Sequence, residues 1–205
     1  MKSICALVHR PDRDRAFFQR YYEDHHAPFA ARLFPFRGYA RNHVDAAEIF
    51  GWDTISEFWV DDPLAPLRVI EGPHAAALRA DEERFLDHAR LAPARVEEHV
   101  LSAGDPADAG GRRLAVLLES AASNDLWHGR AMGWARSLAE RRAGVALDIL
   151  IDRNGGFPAD AVLWLPGHDD PGPPPDELVA QPLRMHRHET DMTFNHHDFD
   201  NEGHA

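Results

Sequence analysis

Between Ser102 and Gly111 the chain reads Ser-Ala-Gly-Asp-Pro-Ala-Asp-Ala-Gly-Gly, and the order of apolar segments is the same on both sides of it. Small, turn-forming residues of this kind make a linker, so the sequence divides into two halves that solve the same packing problem. Before the linker, Lys2–His9 has strand content and stops at Arg10-Pro11-Asp12. A helical stretch runs from Arg13 to about Leu33, with Phe18, Tyr22, His26, Phe29 and Leu33 on one stripe at 100° per residue. Pro28 lies inside it and is expected to kink or split it, because proline removes one helical hydrogen bond. Tyr39–Val44 and Thr54–Val60 read as strands. Pro63–Ile70 reads as a short helical turn, His74 to about Arg90 as a helix with Leu78, Phe85 and Leu86 inward, and Arg95–Leu101 as a closing strand.

After the linker, Arg112–Leu118 is a strand and Asn124 to about Arg142 a helix, with Trp127, Ala131, Trp134 and Leu138 on its inner stripe. Val145–Asp152 and Asp160–Leu165 are strands around the turn Arg153-Asn154-Gly155-Gly156. Asp176–Val179 reads as a stub of helix and Leu183–Thr190 as a last strand. The order β-α-β-β-α-β in each half is that of a ferredoxin-like α+β unit, with helices on one face of its sheet. The bare faces of two such sheets can pack on each other and give a barrel within one chain. The expected organisation is one unit over residues 1–101, a linker over 102–111, a second, diverged unit over 112–190 and a polar, acidic tail over 191–205.

Composition narrows the function classes. A net charge of −12 opposes nucleic acid and anionic membranes, which select clustered Lys and Arg. No apolar run approaches the roughly 20 residues that span a bilayer, and His9-Arg10-Pro11-Asp12 interrupts the first apolar segment too early for a signal peptide. Cys5 is the single cysteine, which fits a reducing cytoplasm; on a buried strand it is expected to be inert. Gly155-Gly156 lacks phosphate-loop spacing. No cofactor is implied, and the expected partner is a small organic molecule, with a homodimer as the candidate assembly.

In the first half an ordered set of residues carries a family resemblance. It comprises Phe18 and Tyr21-Tyr22, then His26-Ala27-Pro28, Tyr39-Ala40-Arg41-Asn42-His43, Asp81-Glu82-Glu83-Arg84-Phe85, and finally Val96-Glu97-Glu98-His99-Val100. Over about residues 1–101 the chain resembles the EthD family of the dimeric α+β barrel group. In one respect it departs: the family usually places Trp four residues before the motif histidine, where this chain has Tyr22. The second half carries no EthD motif. The resemblance implies a pocket for a small, often aromatic or polyketide-like molecule. It also implies metal-free and cofactor-free chemistry, with oxygenation, dehydration, cyclisation and decarboxylation all represented in the wider group.

The residues suggest roles of their own. His26, on the apolar stripe with Tyr22, is a candidate general base, because desolvation favours neutral imidazole; a buried histidine satisfied by a backbone carbonyl is the alternative. Alternation puts Tyr39, Arg41 and His43 on one strand face and Ala40, Asn42 and Val44 on the other. The smaller set is expected under the helices and the larger towards the other half or the pocket. His43 is the first catalytic candidate, with His26 and Tyr39. Arg41, Tyr22, Trp59 and Asn42 are the candidate substrate contacts. Asp81 is placed to orient a histidine, as a carboxylate does in a triad, or to pair with Arg84. His186 and His188 share a strand face at a metal-ligand spacing, with His196-His197 further on, although polar tails gather such residues freely. Three functions are open to such a chain: cofactor-independent acid–base chemistry (dehydration, cyclisation or decarboxylation) on a phenolic, polyketide-like or β-dicarbonyl compound; cofactor-free monooxygenation of an aromatic; or binding without catalysis.

Overall fold

The structure, a computed structural model, describes residues 1–46, 48, 50–120, 126–152 and 156–192. Residues 153–155 of the expected turn over 153–156, the first residues of the second-half helix at 124–125, and the tail from 193 onward, with His196-His197, lie outside them.

Eight antiparallel strands close into a barrel: β1 (Lys2–Leu7), β2 (Phe36–Val44), β3 (Thr54–Val60), β4 (Ala92–Val100), β5 (Arg112–Ser120), β6 (Ala146–Asp152), β7 (Ala161–Pro166) and β8 (Leu178–Thr190). Around the barrel the order is β1-β3-β2-β8-β5-β7-β6-β4. Each half therefore has the ferredoxin-like order, β4-β1-β3-β2 and β8-β5-β7-β6, and the halves join where β2 pairs with β8 and β4 with β6. This is the dimeric α+β barrel arrangement with both sheets supplied by one chain.

The apolar side chains fall into three layers. Inside the barrel, Ile4, Ile55, Val96, Leu117, Trp164 and Leu183 pack with a set of alanines that includes Ala6, Ala92, Ala94, Ala115 and Ala159. Outside, the helix α5 (Leu126–Ala139) covers the second sheet with Ala131, Ala135 and Leu138. The first sheet is covered by α1 (Arg15–Tyr21), α2 (Ala27–Leu33), α3 (Ala65–Ile70) and α4 (Ala75–Glu82), and Phe18, Tyr22, Tyr39 and Phe85 lie in that layer.

The alanines overturn one expectation. An eight-stranded barrel is only just wide enough for side chains, so its inside takes the small residues of β2 and the helix layer takes the large ones. Val44 lies in the barrel core and Asn42 bonds Glu57 and Arg113 there, while Tyr39, Arg41 and His43 turn to the helices.

The break at Pro28 takes the form of one π-helical turn, Tyr22–His26, in which the Ala27 N–H donates to the Tyr22 carbonyl. The extra residue rotates the downstream helix by about 100°. Ala27, Ala30 and Ala31 are therefore buried, and Phe29 and Leu33 are partly exposed, where the unbroken stripe predicts the reverse. The helix expected to reach Arg90 ends at Glu82, because the next residues are captured by the strand end: Arg10 N–H donates to Phe85 O and Asp87 N–H to Val8 O, both at 3.0 Å. Of the expected helix stub at Asp176–Val179, Asp176 and Glu177 form a turn and Leu178 and Val179 begin β8, where Leu178 pairs with Ser120. The linker is hydrogen-bonded to the second half, with Ser102 Oγ donating to Arg142 O (2.8 Å) and accepting from Val145 N–H (2.9 Å).

Among the described residues no helix is long and apolar enough to cross a membrane.

Candidate active site

The π turn decides what faces the sheet beside β2. Tyr22 goes under the helix, and the next residue, Glu23, reaches the seam between β2 and β8. There Arg41 lies opposite His188 and His43 opposite His186 in the strand register. Glu23 Oε1 accepts from Arg41 Nε (3.1 Å) and lies 2.6 Å from His43 Nε2, and its Oε2 accepts from Arg41 Nη2 (2.5 Å). His43 Nδ1 sits 2.5 Å from Thr54 Oγ1, so both ring nitrogens have partners. Arg41 Nη1 donates to Thr190 Oγ1 (2.5 Å). Across the seam His188 Nδ1 is 3.8 Å from Glu23 Oε2, and its ring stands edge-on to His43 at 5.3 Å.

These groups open onto a cleft of about 640 Å³ bounded by the first helix and the β2–β8 seam, with Arg20 and Asp45 also on its wall. Burial pushes the Glu23 carboxyl up, but hydrogen bonds from His43 and Arg41 and the Arg41 charge outweigh it and hold the group at about 2. Burial pushes His188 the other way, below the ordinary imidazole value, and the Glu23 charge only partly restores it. A second, looser set flanks the first: Asp45 lies 3.4 Å from His186 Nε2 and 3.9 Å from His168 Nδ1. Among the described residues no three His, Cys, Asp or Glu side chains are arranged to hold a metal ion; the carboxylate beside His186 is Asp45, and the one beside His188 is Glu23.

The other residues singled out from sequence fall into three groups. His26 and Asp81 meet, Nδ1 to Oδ2 at 2.7 Å, and Asp81 also accepts from Tyr21 Oη at 2.7 Å. Tyr39 donates to Tyr22 Oη (2.9 Å), which bonds Ser56 Oγ (2.9 Å); both rings are fully buried, and burial raises both phenols. Trp59 and Asn42 face the barrel interior instead, Trp59 bonding Glu98 and Asn42 bonding Glu57. Thus His43 and Arg41 come together, His26 and Asp81 form a separate pair, and Trp59 and Asn42 lie on the sheet's far face. Cys5 is pushed up to about 12 by burial and stays a thiol.

Residues 10–89 match the family model of the EthD domain. This segment is an EthD domain. It holds Glu23, Arg41 and His43, whereas His188 comes from outside it, on β8. The whole chain is similar in fold to a monooxygenase candidate from Lactobacillus acidophilus NCFM (13% identity, 93% of this chain and 95% of that one, TM-score 0.56). It is also similar to a monooxygenase candidate from Fusobacterium nucleatum (9%, 91% of each chain, 0.58) and to a chlorite dismutase candidate (8%, 93% and 94%, 0.51). At these identities the likeness is one of fold, and it extends over both halves. No curated protein matches the chain.

Sequence reasoning missed Glu23, which reads as a solvated helix residue, and the placement of His188 beside it. The period-2 spacing of His186 and His188 was a signal, but the β2–β8 pairing that sets them beside Arg41 and His43 joins strands far apart in the sequence, one from each half.

Proposed function

We propose that the chain is an enzyme of small organic molecules that runs general acid–base chemistry in the cleft at the β2–β8 seam. The observation carrying this reading is Glu23, held ionised by His43 and Arg41 and facing a half-buried His188 across the opening. With its basicity lowered, His188 is neutral near pH 7 and able to take a proton from an acidic C–H or O–H. The imidazolium so formed meets the Glu23 carboxylate, which His43 and Arg41 keep in place. Arg20 on the same cleft wall offers positive charge to the enolate or phenolate left behind. A phenolic, polyketide-like or β-dicarbonyl compound supplies such a proton, and its anion goes on to lose water, close a ring or lose carbon dioxide. The volume suits a compound of that size.

The fold likeness to two monooxygenase candidates favours a second reading, in which the same anion reacts directly with oxygen. A mass-spectrometric turnover screen of phenolic, quinonoid and polyketide-like compounds, with and without oxygen, separates the two. Products lacking water or carbon dioxide, or isomerised, in both atmospheres support the first. Products heavier by oxygen and formed only in air support the second. On any compound that is turned over, His188→Ala is expected to lower kcat by about 10²-fold or more, and His43→Ala to do so less steeply. Near wild-type turnover in both variants would remove the cleft from the chemistry. A compound bound tightly and recovered unchanged would make the chain a carrier.

A further inference from the structure

At the far end of the helix layer, a second cavity of about 330 Å³ lies between the end of α2, the start of β2 and the short helix α3. Its walls are apolar: Ala31, Phe34, Phe36, Val69 and Met192 face it, and the Phe34 and Phe36 rings stack at 4.9 Å. None of the groups of the β2–β8 cleft reaches it. Two guanidiniums, Arg32 and Arg68, line the same cavity. Arg68 pairs with Asp62 through Nη2 (2.5 Å), while Arg32 has no carboxylate partner among the described residues, in a chain whose net charge is −12. The outer wall also carries more apolar surface than the fold consumes. In α3, Ala65 and Val69 turn to the cavity, whereas Leu67 and Ile70 of the same helix, and Leu64 just before it, stand 49%, 52% and 59% exposed. Apolar side chains on both faces of a six-residue helix are a cost in water unless something apolar comes to that end of the molecule.

We propose that this cavity is a binding site for an apolar monocarboxylate, with its hydrocarbon part against Phe34, Phe36 and Met192 and its carboxylate at Arg32 and Arg68. The volume admits a short fatty acid or a single-ring aromatic acid. Two cations at the rim of an apolar pocket select an acid over the corresponding alcohol, since a guanidinium fits a carboxylate with paired hydrogen bonds. The site does not depend on the chemistry assigned to the cleft, so either can fail alone.

The test is calorimetric titration of the full chain with octanoate and with 1-octanol at pH 8, together with methyl NMR of the methionines. Octanoate is expected to bind saturably and to shift the Met192 methyl, with 1-octanol weaker by about threefold or more. Arg32→Gln is expected to weaken octanoate by a similar factor and to leave 1-octanol unchanged. Val69→Trp, on a half-exposed position, is expected to fill the cavity and abolish binding of both, while His188→Ala leaves binding intact. No saturable octanoate binding, octanoate and octanol binding alike, or binding that survives Val69→Trp would each overturn the proposal.

Discussion

A carboxylate that accepts from a guanidinium and an imidazole at once loses most of its affinity for protons. Glu23 is such a group, held at about 2 against an ordinary value of 4.5. Its folded-state value is depressed, so the stability it contributes is fully present above the unfolded value and is lost as pH falls from about 5 towards 2. The size of the shift corresponds to something on the order of 3 kcal/mol. Glu23→Gln is therefore expected to cost about that much at pH 7, leaving Arg41 a buried cation with its bidentate partner gone. The variant should also lose less stability than the parent between pH 5 and pH 3. Urea unfolding at the two pH values measures both effects; equal losses in parent and variant would show that Glu23 is not the acid-sensitive group. At this scale the sequence was partly legible. His43 and Arg41 could be paired because strand alternation is local, and His26 and Asp81 could be suspected of meeting. The direction in which they face was not legible, because it depends on which side of the sheet is short of room, and only the closed barrel decides that.

Strand and helix types derive from periodicity, and their ends from neighbours. Thr54–Val60 lies where its aromatic and β-branched content puts it. In contrast, α4 stops where the continuation of β1 competes for the backbone of Phe85 and Asp87. The π turn is an intermediate case: Pro28 announces a break, but only the structure shows that the break adds a residue and swings Glu23 towards the seam. The junction between linker and second half offers a direct test of how tightly elements are joined. Gly144 has φ 70° and donates to Ala103 O (3.1 Å); a β-carbon there would run into the Asp105 carbonyl and lie 2.8 Å from Pro166 Cγ. Both obstacles are hard to move, one being backbone and the other a ring. Gly144→Ala is expected to destabilise by about 2–4 kcal/mol, from left-handed strain and overpacking together. A loss of less than about 1 kcal/mol in urea unfolding would mean that the linker gives way easily and is a tether after all.

Joining the halves requires more than two strand seams. On the inner face at one end of the barrel, Lys2 Nζ meets Glu57 (2.7 Å), Glu98 (3.0 Å) and Asp148 (2.7 Å), and Glu57 in turn takes Arg113 and Arg187 Nη1 (2.5 Å). Lys2, Glu57 and Glu98 belong to the first half, and Asp148, Arg113 and Arg187 to the second, so the charges balance only when both are present. The repeated order of strands made two similar sheets readable from sequence, although the second half lacks the expected second helix; nothing local announced this network, whose members are spread from β1 to β8. It bears on what the first half does alone. Residues 1–101 would expose the free edges of β2 and β4, the apolar inner face around Ile4 and Ile55, and a Lys2–Glu57 pair stripped of its second-half partners. In the whole chain β8 and β6 hold the places that β4 and β2 of a second copy would take, so two fragments can close the same barrel. The isolated fragment is therefore expected to sediment as a dimer or larger species at micromolar concentration, and to lose that association only with unfolding. Analytical ultracentrifugation with parallel circular dichroism decides it. A folded, dispersed monomer would mean that the first sheet tolerates its bare face in water, and that the second half is dispensable to the fold of the first.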